Sequence, residues 1–172
     1  IAMYCNDKSK LLPRPISICG INKEEGTLRV VYRVAGEGTR EFSEMKAGDT
    51  LEVMGPLGNG FTLKDEKAII IGGGIGIPPM LELAKQLNAE KTVVLGYRTS
   101  TFLKEEFEAV CDVKVATEDG SQGAKGTVID AIEKYGVEGK VIYACGPMPM
   151  LKALAAYAEE HGIEAQISLE ER

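Results

Sequence analysis

A short run in the middle of the chain constrains its fold more than any other feature. Ile69, Ile70 and Ile71 form an apolar stretch, and a loop with glycine at 72, 73, 74 and 76 follows directly. Pro78 and Pro79 then suit the first turn of a helix. Such a strand, glycine loop and helix is typical of phosphate-binding turns, where helix N–H groups face the anion. It also fits a ligand-free turn, and the prolines depart from the G-x-G-x-x-G pattern.

The residues around this run alternate between strand and helix patterns. We predict strands at 68–71, 92–96, 113–116, 141–144 and 165–169. We predict helices at 78–87, 127–135 and 147–161, with a shorter one near 103–110. Five strands with crossover helices imply an α/β fold with a doubly wound, parallel, five-stranded sheet.

The residues before position 65 follow a different pattern. Segments 15–21, 27–34 and 51–54 are predicted strands, and the glycine-containing segments 36–38 and 55–58 are predicted turns. This pattern favours part of an antiparallel β barrel or sandwich. We therefore predict two domains, at residues 1–66 and 67–172.

Composition excludes several classes of protein. The chain has 172 residues and a net charge of −6, without the basic face expected of a nucleic-acid binder. No apolar run approaches the roughly 20 residues that span a membrane. The cysteines, Cys5, Cys19, Cys111 and Cys145, are too far apart for a compact metal loop, and we expect thiols in a reducing cytoplasm. His161, the only histidine, ends a predicted helix, so no hydrolytic triad is indicated.

A second motif surrounds Cys145. A predicted strand ends at Cys145 and is followed by Gly146 and Pro147. Ligands of open α/β sheets bind outside the carboxyl ends of the strands, so this thiol is expected on the same side as the glycine loop. A small buried residue would explain the cysteine equally well.

Two further segments carry candidate ligand-binding groups. Arg14-Pro15-Ile16-Ser17 presents a guanidinium suited to phosphate, and the backbone of 36–39 could bind the same anion. Ordinary surface and strand positions would explain Arg14 and Ser17 as well.

Glu118 and Asp119 follow a predicted strand, where carboxylates can bind ribose hydroxyls and repel a 2′-phosphate. They also fit a solvated acidic turn. Arg98 is weak evidence for the opposite preference, because a cation there would favour a cofactor that carries a 2′-phosphate.

The order of these motifs is more specific than any one of them. It resembles the ferredoxin–NADP reductase superfamily, and within it the electron-transfer subunits of two-subunit, NAD-dependent dihydroorotate dehydrogenases. The resemblance covers essentially the whole chain and is carried by segments 14–18, 32–39, 55–61, 72–80, 117–126 and 143–151.

The resemblance implies that the first half holds FAD. It places seven residues at the flavin: Arg14, Pro15, Ile16, Ser17, Tyr32, Gly38 and Thr39. Arg14 would contact the pyrophosphate, Pro15 and Ser17 would lie along the isoalloxazine, and Gly38 and Thr39 would complete the phosphate site.

The resemblance also implies that the second half holds NAD(H). Seven residues would contact the dinucleotide: Gly73, Gly74, Gly76, Glu118, Asp119, Cys145 and Gly146. The glycines of the first loop would line it, and the two carboxylates would bind its adenosine end. Cys145 and Gly146 would close over the nicotinamide near flavin N5. Cys145 and Ser17 are the predicted catalytic residues, although the hydride chemistry belongs to the cofactors.

The resemblance further implies a partner, the dihydroorotate dehydrogenase catalytic subunit, in a cytoplasmic heterotetramer of pyrimidine biosynthesis. The family's [2Fe–2S] cluster is bound by a cysteine-rich loop that would begin at 168–172, so we expect no metal ligand here. Further barrel strands would precede residues 1–6, which predicts a chain trimmed at both ends.

Two other functions fit the same motifs. One is the reductase subunit of another flavin complex, such as a bifurcating NADH–ferredoxin:NADP⁺ oxidoreductase or a hydrogenase. The other is a nucleotide-binding regulatory module without a redox role.

Overall fold

A computed structural model describes residues 1–7 and 9–169 of the chain. The cysteine-rich loop is predicted to begin at 168–172, and residues 170–172 of that segment lie outside the described residues. The chain divides into two compact units, Ile1–Gly60 and Phe61–Arg172. Within the described part, no helix is both long and apolar enough to cross a membrane.

The first unit is built from antiparallel strands and one helix. Its elements are β1 (Ala2–Met3), β2 (Arg14–Pro15), β3 (Ile18–Asn22), β4 (Thr27–Val30), α1 (Glu37–Glu44) and β5 (Val53–Met54). One sheet has the order β2-β1-β5, and β3 and β4 form a separate hairpin. The predicted strand at 15–21 is thus divided between β2 and β3, while the strands predicted at 27–34 and 51–54 are shorter in the structure.

Helix α1 corrects the predicted turn at 36–38. Gly36 caps this helix in an extended conformation, and the Thr39 hydroxyl accepts hydrogen bonds from the Ala35 and Gly36 N–H groups. Phe42 anchors the helix in the core of the unit beside Met3. A buried aromatic residue and the Thr39 bonds to the two N–H groups that precede the helix therefore outweigh the low helix propensity of the two glycines.

The second unit contains a parallel sheet flanked by helices. Its elements are β6 (Ala68–Gly73), α2 (Ile77–Gln86), β7 (Lys91–Tyr97), α3 (Lys104–Glu108), β8 (Asp112–Thr117), β9 (Ala124–Lys125), α4 (Val128–Tyr135), β10 (Val141–Cys145), α5 (Met148–His161) and β11 (Glu164–Ser168). The strand order is β11-β10-β6-β7-β8-β9, and every neighbouring pair is parallel. The doubly wound sheet is confirmed, with the two-residue β9 as a sixth strand.

Buried side chains point alternately to the two faces of this sheet. Ile69, Ile71 and Val94 share one core cluster with residues of α4 and α5. The intervening Ile70 and Val93 are also buried and face the opposite side, where α2 lies against β6 and α3 against β8. Both faces are therefore covered, as a parallel sheet requires.

The second unit begins earlier than the predicted boundary at 66/67, because residues 61–64 pack onto the sheet. We call these residues the connector. The Phe61 ring lies edge-on to the buried Tyr143 ring, with centroids 5.5 Å apart. The Tyr143 hydroxyl donates to the Thr62 carbonyl (3.1 Å) and accepts from the Lys64 N–H (3.0 Å). The Gln166 amide also bonds both backbone groups of Thr62, at 2.8 and 3.0 Å.

Candidate functional site

The two glycine motifs of the second unit meet where the winding direction of the sheet reverses. Strand β6 lies between β7, which follows it in sequence, and β10, which comes much later. Gly72 near the end of β6 pairs in register with Cys145 at the end of β10. Crevices at such reversal points are where open α/β sheets bind ligands. The structure thus brings the predicted residues of both loops to one edge.

Close packing explains two of the three glycines expected to line a ligand. A Cβ atom on Gly76 would overlap the Cys145 carbonyl and approach Gly146 N to 2.5 Å. A Cβ atom on Gly73 would lie 2.5 Å from the Met150 sulfur. The absence of side chains at 73 and 76 therefore lets the two loops and the start of α5 pack together.

Gly74 is different, because its side-chain position faces open space. Its φ of +52° lies in the left-handed region, and nothing lies within 4 Å of an added Cβ. Its neighbour Ile75 is also exposed. Residues 74 and 75 are therefore the part of this loop that a ligand can approach.

The start of α2 does not supply the N–H groups that the sequence predicted for a phosphate. The Ile77 N–H already bonds the Gly74 carbonyl, and Pro78 and Pro79 have no N–H. The partial positive charge of the helix dipole remains. Hydrogen bonds to a ligand must come instead from the backbone of the loop or from the neighbouring loop after β10.

Helix α5 begins directly after that second loop. Pro147 caps it in an extended conformation and lies 3.1 Å from the Cβ position of Gly73. The backbone N–H groups of Met148 and Met150 belong to the first turn, where the helix provides no acceptor. Met150 was not predicted as a site residue. Its only sequence signal is its place three residues after the Gly-Pro pair.

Glu118 and Asp119 differ in their surroundings, although both are exposed. The Asp119 carboxylate accepts hydrogen bonds from the Ser121 N–H (3.0 Å) and hydroxyl (2.7 Å), which lower its pKa below the ordinary value. Buried Thr117 supports the same loop by bonding both backbone groups of Gln122. Asp119 thus stabilises the loop, whereas the neighbouring Glu118 has an exposed side chain.

The loop after β7 brings an aromatic pair to this edge. The Tyr97 hydroxyl donates to the Phe102 carbonyl at 2.7 Å, and the two rings lie edge-on with centroids 5.5 Å apart. Burial raises the pKa of the Tyr97 hydroxyl well above its ordinary value, so it remains a donor. Neither residue is among the predicted site residues. An aromatic residue in a short Thr/Ser-rich loop after a buried strand was the available signal.

In the first unit, the structure brings Arg14 to the start of α1. The Arg14 guanidinium occupies the space beside buried Gly38, where an added Cβ would lie 2.6 Å from Cζ. The Arg14 Nη1 donates to the Leu12 carbonyl. Gly36 has no side chain to cap the helix, so the first-turn N–H groups lie beside the guanidinium, in a turn that also carries Glu37. Two predicted phosphate-binding groups are thereby adjacent.

The other residues predicted at the flavin occupy varied positions. Pro15 and Ser17 are exposed beside β2, whereas the side chain of Ile16 packs against the core. The Tyr32 ring lies edge-on to Phe42, with centroids 6.1 Å apart. Thr39 uses its hydroxyl within the helix cap, so a ligand could reach it only through the backbone N–H.

Comparisons with known proteins agree with this architecture. The family described as "Oxidoreductase NAD-binding domain" matches residues 70–156. A "Dihydroorotate dehydrogenase B (NAD(+)), electron transfer subunit" from Geobacillus kaustophilus (strain HTA426) is 47% identical over 94% of this chain and 66% of that protein. The subunit of the same name from Caldanaerobacter subterraneus subsp. tengcongensis is 45% identical over 98% of this chain and 68% of that protein. The chain belongs to this family of electron transfer subunits.

A solved structure of a related reductase has the same fold as this chain. A solved NADH-dependent reduced ferredoxin–NADP oxidoreductase, described for flavin-based electron bifurcation, has a TM-score of 0.88 to this chain. It is 33% identical and covers 98% of this chain and 64% of the other. The chain spans about two thirds of the length of the curated electron transfer subunits it matches.

Proposed function

We propose that this chain binds FAD through its first unit and NAD(H) through its second, and transfers electrons between a dihydroorotate dehydrogenase catalytic subunit and NAD⁺. The names of the relatives support this assignment. The observation that carries it is the register of Gly72 with Cys145, which joins two glycine loops at the reversal point of a parallel sheet.

The second unit fits a dinucleotide. Close packing at Gly73 and Gly76 leaves Gly74 and Ile75 as the accessible surface of the first loop. The start of α5 adds uncapped backbone donors and the positive end of a helix dipole. These groups bind and orient an anionic ligand, and the Cys145 thiol at the strand end supplies a small side chain beside it.

The first unit fits a flavin phosphate. Arg14 and the uncapped first turn of α1 combine a fixed cation with backbone donors. Exposed Pro15 and Ser17 continue from Arg14 along an accessible segment, so an extended cofactor held at Arg14 can contact them. Ser17 can donate or accept one hydrogen bond there.

FAD and NAD(H), when bound, supply the electron and hydride transfer themselves. The chain's own residues bind the phosphates, orient the rings and limit access of water. In the proposed reaction, dihydroorotate loses two electrons and two protons at the partner subunit, and NAD⁺ gains a hydride. One proton is released, and no side-chain base of this chain is needed.

The partner, the heterotetramer and the cytoplasmic location are parts of the same proposal. The iron–sulfur cluster of the family does not fit the residues described here. Cys5 and Cys19 are buried in the first unit, and Cys111 and Cys145 lie at different strands of the second. Within 1–7 and 9–169, no three His, Cys, Asp or Glu residues converge on a metal site.

The visible absorption spectrum before and after anaerobic NADH tests this function. The protein from the intact gene should show flavin bands that bleach with NADH. A colourless protein that still binds NAD would contradict the FAD assignment. Cys145→Ala should retain both cofactors but slow NADH oxidation, whereas Cys111→Ala, another half-buried thiol, should not. Equal rates of NADH oxidation in the two variants would indicate that Cys145 has only a packing role.

One other function is favoured by a specific observation, the TM-score of 0.88 to the bifurcating oxidoreductase. The chain would then serve as the reductase part of a different flavin complex. Mixing with a dihydroorotate dehydrogenase catalytic subunit separates the two. Dihydroorotate-dependent NAD⁺ reduction supports the first proposal, and no activity in a complex that forms supports the second.

A further inference from the structure

An exposed aromatic ring lies near the carboxyl end of β7, beyond the two glycine loops. Phe102 is 37% exposed and lies in the segment that connects β7 with α3. Its ring is nevertheless fixed, because it packs edge-on against buried Tyr97 at an interplanar angle of 76°. The Tyr97 hydroxyl holds the Phe102 backbone at 2.7 Å. A positioned aromatic residue is thus partly accessible to solvent.

The backbone next to this ring is strained. Leu103 has φ of +60°, and within the described residues it is the one non-glycine residue with a positive φ. This conformation is costly for a branched side chain and persists only where the surroundings impose it. Here the strain accompanies the sharp change from the loop to α3, which begins at Lys104. The position of Phe102 is therefore maintained against a local preference.

Tyr97 also connects Phe102 with Glu118. The Tyr97 carbonyl accepts the Glu118 N–H at 3.1 Å, while its hydroxyl bonds the Phe102 carbonyl. The two loops also lie close together at Ser121, whose hydroxyl oxygen is 3.2 Å from the Thr99 carbonyl oxygen. Exposed Phe102 and exposed Glu118 consequently lie on two loops whose backbones are bonded to each other at the ends of β7 and β8.

We propose that Phe102 is the surface on which the adenine ring of the dinucleotide stacks, with Glu118 accepting hydrogen bonds from the adenosine ribose. This inference rests on the proposed function. Strands β7 and β8 are the next two from β6, and neighbouring strands lie about 4.8 Å apart. A dinucleotide bound at the paired glycine loops is therefore long enough to reach this surface. Stacking on an aromatic ring suits any nucleobase, and the carboxylate distinguishes free hydroxyls from a phosphate.

Calorimetric titration with two halves of the cofactor tests the proposal. ADP-ribose contains the adenosine half and reduced nicotinamide mononucleotide the other half. Phe102→Ala should weaken ADP-ribose and NADH about tenfold, the effect of losing one base stack. It should leave the mononucleotide unchanged. Phe102→Trp should retain affinity, and Tyr135→Ala, which removes a ring of similar exposure (38%) at the end of α4, should change neither ligand.

The outcomes separate this inference from the function on which it depends. Unchanged ADP-ribose binding in Phe102→Ala would overturn the stacking role while leaving the NAD site intact. Equal losses for both halves would also overturn it, because they would indicate a general disturbance of the unit. A folded parent protein that binds neither NADH nor ADP-ribose would contradict the proposed function itself, and the inference with it.

Discussion

The backbone of Gly76 lies directly against the carbonyl group of Cys145, which leaves no room for even a methyl group between them. The contact joins the loop after β6 to the loop after β10. These strands are already in register through Gly72 and Cys145, so the loops are fixed twice, once by strand pairing and once by backbone packing. The ligand-facing edge is therefore shaped by main-chain atoms more than by side chains.

Alanine substitutions at Gly76 and Gly74 should have different consequences. Gly76→Ala must displace the backbone at 145–146, and we expect about 3 kcal/mol of lost stability together with loss of NAD binding. Gly74→Ala meets no atom and should cost only about 1 kcal/mol, for the left-handed backbone. Thermal unfolding and NADH titration measure both effects. Equal destabilisation by the two variants would contradict the packing role of Gly76.

Much of the second unit could be predicted because its signals are local. Apolar runs, glycine loops and helix-starting prolines located β6, α2, β10 and α5 to within one or two residues. The two-residue β9 was missed, since pairing with β8 defines it more than its own sequence does. Helix α1 was missed because Gly36 and Gly38 indicate a turn, and only tertiary packing of Phe42 stabilises the helix.

The candidate site was predicted in outline, but the roles of its residues were not. Sequence placed Gly73, Gly74 and Gly76 together without showing that Gly73 makes room for side chains of α5 and that Gly76 makes room for the backbone at 145–146. It could not separate Glu118 from Asp119, because that difference depends on hydrogen bonds to Ser121. The glycine contacts join distant segments and the Asp119 bonds depend on the conformation of its turn, and local sequence patterns contain neither.

Arg14→Ala should weaken FAD retention about ten- to a hundredfold, because a charged hydrogen-bonding group to phosphate is lost. Gly38→Ala should produce a similar loss with little change in stability, since the added methyl group displaces only the flexible end of Arg14. Flavin content per protein and the dissociation constant for FAD measure the effect. Arg33→Ala, an exposed arginine of the same unit, is the control. Full flavin content in Arg14→Ala would show that the phosphate lies elsewhere.

Cofactor preference should depend on Glu118 and not on Asp119. Glu118→Arg removes the carboxylate expected at the ribose and adds a cation, so the ratio of kcat/KM for NADPH to that for NADH should rise at least tenfold. Asp119→Asn should leave the ratio unchanged, because the Asp119 side chain is engaged with Ser121. A larger shift in Asp119→Asn than in Glu118→Arg would reverse this assignment.

The loop around Asp119 should become less ordered in acid. Hydrogen bonds from Ser121 lower the pKa of the Asp119 carboxyl in the folded protein below its ordinary value of 3.8. The ionised group therefore stabilises the loop fully above that value, and the contribution is lost as the pH falls through the lowered pKa. Amide hydrogen exchange at Ser121 reports it. Asp119→Asn keeps an oxygen acceptor and should abolish the pH dependence; a persisting dependence would implicate another group.

Removing the Tyr143 hydroxyl should loosen the connector. In Tyr143→Phe the Lys64 N–H loses its acceptor, whereas the Thr62 carbonyl keeps the Gln166 amide as donor. We expect about 1–2 kcal/mol of lost stability in chemical denaturation. Tyr135→Phe removes a hydroxyl from a ring that is 38% exposed and serves as the matched control. Identical unfolding midpoints would show that the connector does not depend on this hydroxyl.

The contact between Gly76 and the 145–146 backbone also limits how this fold can diverge. The two positions are far apart in sequence, yet position 76 cannot gain a side chain unless the backbone at 145–146 takes a different path. Mutations there should be strongly epistatic, tolerated only in combinations that rebuild both loops. A library that randomises the loop after β6 by itself would then return glycine at 76, while position 74 would accept asparagine and other residues compatible with a left-handed backbone.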